Sequence, residues 1–232
     1  MQYFILLIIL IITLCLDLFA FVDLESFIRL TREDSIIEYA GALFLLGASI
    51  ICLYLFLQPL INKSVVVENK FRKNIYFLLL SIVFFLSFGE EISWGQRIIN
   101  WKSSQYFIAE NIQHETNVHN LKIGSFLSLN RLFQIFWIFY CLVVPIAVKL
   151  SKKVETTLNK IHLPLAPIWL GVAILINAII PKMLSLVIDI QYERVIWGMH
   201  EVKETILEML LYILASYWML NNARIDSNVK KY

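Results

Sequence analysis

The chain reads as an all-α membrane protein: a polytopic bundle of about six transmembrane helices forming one domain over residues 1–232. Three observations predict this. Hydrophobic residues make up 59% of the chain and charged ones only 16%, whereas about a quarter of a soluble domain is charged. Mean hydropathy is +0.71. Six apolar stretches, near 3–22, 36–58, 75–95, 130–149, 164–188 and 197–220, reach the roughly 20 residues that a helix needs to cross about 30 Å of hydrocarbon.

The first stretch has an apolar core like that of a signal peptide, but it lacks a basic start and runs into DLFAFVDLES without a small-residue cleavage site, so it is expected to be a retained span. The second opens after TREDS, where Thr31 or Ser35 suits a helix cap and Asp34 the first turn. The third ends in FGEEISWGQR, residues 88–97, with Trp94 suited to the interfacial aromatic belt and Gly89 to close helix approach. A long polar loop containing NIQHETNVHN, 111–120, leads to the fourth. His162 beside Pro164 is expected to mark the start of the fifth, where Pro181 would introduce a kink and Lys182 would snorkel outward. The sixth carries MHEVKETILE, 199–208. Cys15, Cys52 and Cys141 all lie inside apolar runs and read as small core residues.

Lys and Arg set the orientation. Lys63, Lys70, Arg72, Lys73, Lys149, Lys152, Lys153, Lys160, Arg224, Lys230 and Lys231 fall on one side, which places both termini in the cytoplasm. The polar segments at 31–39, 89–120 and 192–204 then gather on the outside. The expected location is a bacterial cytoplasmic membrane with the polar site facing out. A net charge of +2 in short basic clusters gives no footprint for nucleic acid.

The acids lie too deep to be incidental. At about 1.5 Å per residue, Glu90 lies about 24 Å above Asn74 and Glu208 about 18 Å above Leu220, both inside a roughly 30 Å core. Ionisable groups at such depth face protein or a wet cavity and are functional by default. His200, Glu201, Glu204 and Glu208 fall on one stripe of an ideal helix, and Glu115 and His119 are one turn apart if their segment is helical. Imidazole and carboxylate at i and i+4 are the ligand spacing of carboxylate-rich metal sites in helical proteins. The expected ligands of a divalent Zn, Mn or Fe are therefore Glu115, His119, His200 and Glu204. The alternative is a buried hydrogen-bond network with Lys203 or Arg97 as counter-charge. Glu90 and Glu91 are the candidate catalytic bases, because adjacent carboxylates cannot both ionise cheaply in a low dielectric. On a continuous helix Glu90, Trp94 and Arg97 would share a face. Gln96, Arg97, Asn117 and Asn120 are the candidate substrate contacts, with Glu38, Glu201 and Glu208 behind them.

In GEEISWGQR followed by NIQHETNVHN, with REDSIIEY before the second span, the chain resembles a group of uncharacterised bacterial multi-pass membrane proteins. It is also loosely similar to the CAAX-protease and bacteriocin-processing intramembrane proteases, which pair Glu-Glu near the outer end of a span with a following Arg and later His motifs. There the spacing is EExxxR, whereas five residues, ISWGQ, separate Glu91 from Arg97 here. These features lead to a metal-dependent hydrolase or transferase acting on a lipid-linked or membrane substrate at the outer leaflet, in which metal activation of water replaces a Ser or Cys nucleophile. The alternative is a non-catalytic membrane protein, either an ion-coupled transporter or an assembly partner.

Overall fold

The structure is a computed structural model and describes residues 2–32, 35–61, 75–111, 114–121, 129–186 and 193–229. It is an all-α bundle. In chain order the helices are α1 (Gln2–Val22), α2 (Leu24–Leu30), α3 (Ile36–Ile61), α4 (Ile75–Glu91), α5 (Gln96–Ile99) and α6 (Gln105–Glu110). They continue with α7 (Leu129–Ile138), α8 (Val144–Leu150), α9 (Lys152–Lys160), α10 (Ile168–Ser185) and α11 (Glu193–Val229). A π-helical turn, Phe139–Val143, joins α7 to α8. Among the described residues three helices are long and apolar enough to cross a membrane, namely Ile36–Pro59, Leu129–Leu150 and Ile168–Ser185, and Leu7–Val22 is a shorter apolar helix.

Helix α11 is the spine of the bundle, packed against α3, α10 and α1. Its Val202, Ile206, Leu210, Leu211, Leu214 and Ala215 are all buried, a stripe at helical spacing that gives the chain its core. Polar ties fix the register: Thr205 Oγ1 donates to Ile37 O of α3 (3.2 Å), and Asn177 Nδ2 of α10 donates to Lys203 O (2.8 Å). Between α3 and α4, Ser49 Oγ donates to Ser81 O (2.9 Å) and Ser81 Oγ to Ser49 O (3.0 Å), the exchange that lets two small residues hold apolar helices close together. At Gly41 an added Cβ would collide with the Glu208 carboxylate, so the absence of a side chain on α3 is what makes room for that acid.

Several local expectations are corrected. The third apolar run is helical only to Glu91, because Ser93 (φ 46), Trp94 (φ 55) and Gly95 (φ 73) follow with left-handed backbone. Each non-glycine residue there costs about 1–2 kcal/mol. Two contacts offset that cost: Trp94 Nε1 donates to Glu90 Oε1 (2.8 Å), and the indole fills the space over Gly89, 2.7 Å from where a Cβ would stand. Trp94 therefore meets Glu90 through a reversed turn, not along a helix face. Residues 114–120 form bends and turns, so Glu115 and His119 are not successive turns of a helix. His162 lies in the turn that closes α9, its N–H bonded to Asn159 O (3.2 Å), and α10 runs through Pro181. The Thr31 hydroxyl donates back to Phe27 O (2.9 Å). Ser35 Oγ faces the Glu38 N–H at 3.5 Å. Asp34 lies outside the described residues.

Candidate functional site

The fault after Glu91 turns the chain so that the 111–121 loop folds over the end of α4. Asn111 and Asn117, both buried, hold the loop in shape: Asn111 Nδ2 donates to Asn117 Oδ1 (2.7 Å) and to Asn117 O (2.8 Å), while Asn117 Nδ2 donates to Ser93 Oγ (2.9 Å). Ser93 in turn donates to Glu115. Gln96 Oε1 accepts from Thr116 N (2.8 Å) and Ser103 Oγ (3.0 Å). Gln96, Asn117 and Glu115 are thus framework residues of the loop.

Glu90 is the hub. Besides the Trp94 indole, its carboxylate receives the backbone N–H groups of Val118 and His119 (3.1 Å for His119), and His119 Nδ1 stands 3.6 Å from Glu90 Oε2. That last separation is an ion-pair contact, too long for a hydrogen bond. Burial alone would lower the His119 pKa, but the Glu90, Glu91 and Glu204 carboxylates outweigh it and hold the imidazole above the ordinary histidine value. Its Nε2 is 2.9 Å from the Asn120 amide. With that amide donating, the imidazole is neutral with its proton on Nδ1, and full protonation requires the amide to turn and present oxygen.

Beyond Glu90, Glu91 of α4 and Glu208 of α11 line the same cavity, close enough for their carboxyl groups to act on each other. Two neighbouring carboxyl groups in a low dielectric cannot both ionise cheaply. Glu38 and Glu204 are close enough to act electrostatically on Glu91, and Glu204 Oε1 accepts from Asn130 Nδ2 (3.1 Å). The pair opens onto a cavity of about 600 Å³, within the usual range for small-molecule sites. Glu90, His119, Lys203 and Glu204 line its polar end, and Val83, Leu86, Leu129, Leu132, Phe133 and Phe136 line the remainder. Elsewhere in the core Phe84 of α4 stacks on Trp137 of α7, with ring centroids 5.4 Å apart and both side chains fully buried.

The expected site residues are therefore divided. Glu90, Glu91, His119, Glu204 and Glu208 come together, with Glu38 and Asn120 beside them. His200 does not join them: it is exposed, with Nδ1 3.3 Å from Lys203 Nζ. Eight residues along α11 put it about 12 Å from Glu208, too far up the helix to share its cavity. Glu201 lines a separate small cleft with Arg32 and Arg194. The side chain of Arg97 lies outside the described residues. Among the described residues no group of three His, Cys, Asp or Glu side chains is arranged to hold a metal ion. The expected ligands Glu115, His119, His200 and Glu204 have Ser93, Glu90, Lys203 and Asn130 respectively as neighbours.

Two residues were not anticipated from the sequence. Gln134 of α7 lines the cavity, and its Nε2 is buried without a hydrogen-bond partner among the described residues. Asp17 of α1 is fully buried, and neither carboxyl oxygen has a partner among the described residues. An acid inside an apolar run signals Asp17 in the sequence, whereas nothing in the local pattern around Gln134 distinguishes it. No protein-family model, curated protein or solved structure matches this chain.

Proposed function

We propose that this chain is a six-span enzyme of a bacterial cytoplasmic membrane, with both termini cytoplasmic, that hydrolyses or transfers a group on a lipid-linked or membrane-embedded substrate at the outer leaflet. The observation that carries this reading is that two carboxyl groups, Glu91 and Glu208, line one wall of a large, mostly apolar cavity. A pair with one ionised and one protonated carboxyl can take a proton from water and deliver another to a leaving group, which is general acid–base catalysis. Glu90 and His119 fix the loop that roofs the pair. Metal analysis of the purified protein tests whether a divalent ion takes part.

The experiment uses protein reconstituted in phospholipid vesicles doped with long-chain acyl esters, acyl amides and polyprenyl phosphates, with products identified by mass spectrometry. Native protein is expected to convert one of these classes. Glu91→Gln and Glu208→Gln each lower the rate about 10²-fold or more, and Gly41→Ala, which pushes Glu208 aside, does the same. Conversion that survives all three substitutions, or is absent with folded native protein, overturns the reading. Ion coupling is the competing reading, and the partnerless buried carboxyl of Asp17 favours it. Proton flux into the same vesicles that is lost in Asp17→Asn would establish transport instead.

A further inference from the structure

Resting on the reading above, the structure assigns a substrate class to the site: a long-chain carboxylic ester or amide that slides in sideways from the bilayer between α4 and α7, with its carbonyl held by Gln134. Three independent features carry this. The first is the route. Val83 and Leu86 of α4 and Leu132 and Phe136 of α7 line the cavity yet are 38–50% exposed, so the apolar end of the cavity opens at the periphery of the bundle and not only toward water. From Glu91 to Val83 the slot runs about 12 Å along α4. That shape suits a single hydrocarbon chain.

The second feature is Gln134. A buried amide N–H without an acceptor costs about 1–3 kcal/mol, and this one, without a partner among the described residues, belongs to a side chain that lines the same cavity as the carboxyl pair. An N–H donor lacking an acceptor fits a carbonyl oxygen, and it strengthens its bond as negative charge develops there during water attack. The third is charge. The cavity is lined by Glu90, Glu91, Glu204 and Glu208 against Lys203 and His119. A phosphate or pyrophosphate would meet more carboxylates than cations, whereas an ester or amide is neutral.

The chemistry balances without a redox partner. The oxygen of water bonds to the carbonyl carbon as the ionised carboxyl takes one of its protons. The C–O or C–N bond then breaks, and the protonated carboxyl supplies the hydrogen that the leaving atom needs.

The test is photo-crosslinking of the reconstituted protein with hexadecanamide bearing a terminal diazirine, competed by unlabelled hexadecanamide or hexadecyl phosphate. Label is expected on peptides containing Val83 or Phe136, with the amide competing at least tenfold better than the phosphate. Val83→Trp, which fills the slot, should abolish labelling, and Gln134→Met should weaken amide competition about tenfold while thermal unfolding stays near native. Stronger competition by the phosphate, label confined to other surfaces, or labelling indifferent to both substitutions overturns the assignment. Labelling without any turnover would leave this assignment standing and remove the catalytic reading. Turnover of phosphate lipids would do the reverse.

Discussion

Replacing Glu90 by Gln tests the hub of the site. The carboxylate receives three N–H donors, from Trp94 on one oxygen and from Val118 and His119 on the other. Its side chain is 19% exposed, so solvent screens these bonds little. Glutamine offers one acceptor oxygen. If that oxygen turns to the backbone N–H groups, its NH₂ faces the indole N–H and that bond is lost, while the two retained bonds fall from charge-assisted to neutral strength. Hydrogen bonds to charged groups are worth about 1.5–3 kcal/mol and neutral ones about 0.5–1.5, so the loop loses about 2 kcal/mol of anchoring at the two backbone positions. At about 1.4 kcal/mol per tenfold, amide hydrogen exchange at Val118 and His119 should quicken roughly 30-fold. Thr116, whose N–H goes to Gln96, should change little and serves as the internal control. Exchange measured in lipid nanodiscs reads all three. Unchanged rates at Val118 and His119 would refute the reasoning, and equal acceleration at Thr116 would show general loosening of the loop instead of loss of the Glu90 anchor.

The elevated His119 pKa makes loop stability depend on pH. Because the folded value lies above the unfolded one, the contribution is fully present below the unfolded pKa of about 6.5 and is lost as pH rises through the folded value. Thermal unfolding followed from mildly acidic to mildly alkaline buffer should show this decline in native protein and a flatter profile in His119→Gln; identical profiles would count against the carboxylate cage around the imidazole. The Ser49–Ser81 exchange between α3 and α4 should give a coupling of about 0.6–1.7 kcal/mol in a double-mutant cycle with alanine, measured by unfolding in mixed micelles, and a coupling near zero would show that the two hydroxyls act independently.

Several features were legible in the sequence because they are local or periodic. Composition and apolar run length sufficed for an all-helical bundle with helices long and apolar enough to cross a membrane, and the limits of α3, α7–α8 and α10 follow the runs of apolar residues. Buried acids stood out for the same reason: Glu90, Glu91, Glu204 and Glu208 interrupt segments that would otherwise be apolar, and they do meet. What the sequence could not supply was the direction of the chain after Glu91. Helical periodicity continued through Trp94 places that residue and Arg97 on one face, but left-handed backbone at Ser93–Gly95, stabilised by the indole on Glu90 and Gly89, reverses the chain and lays the 111–121 loop over the acids. That reversal decides that His119 joins the cluster and that Glu115 pairs with Ser93. His200 stands about two turns above Glu208 on the same helix, and its exposure there is decided by which parts of α11 the neighbouring helices cover. Gln134 shows the same limit: a lone amide in an apolar helix has no pattern to betray it, and only the tertiary packing buries its N–H beside the cavity. Short-range sterics and hydrophobic spacing belong to the sequence, whereas which polar groups end up sharing one dry space depends on long-range packing.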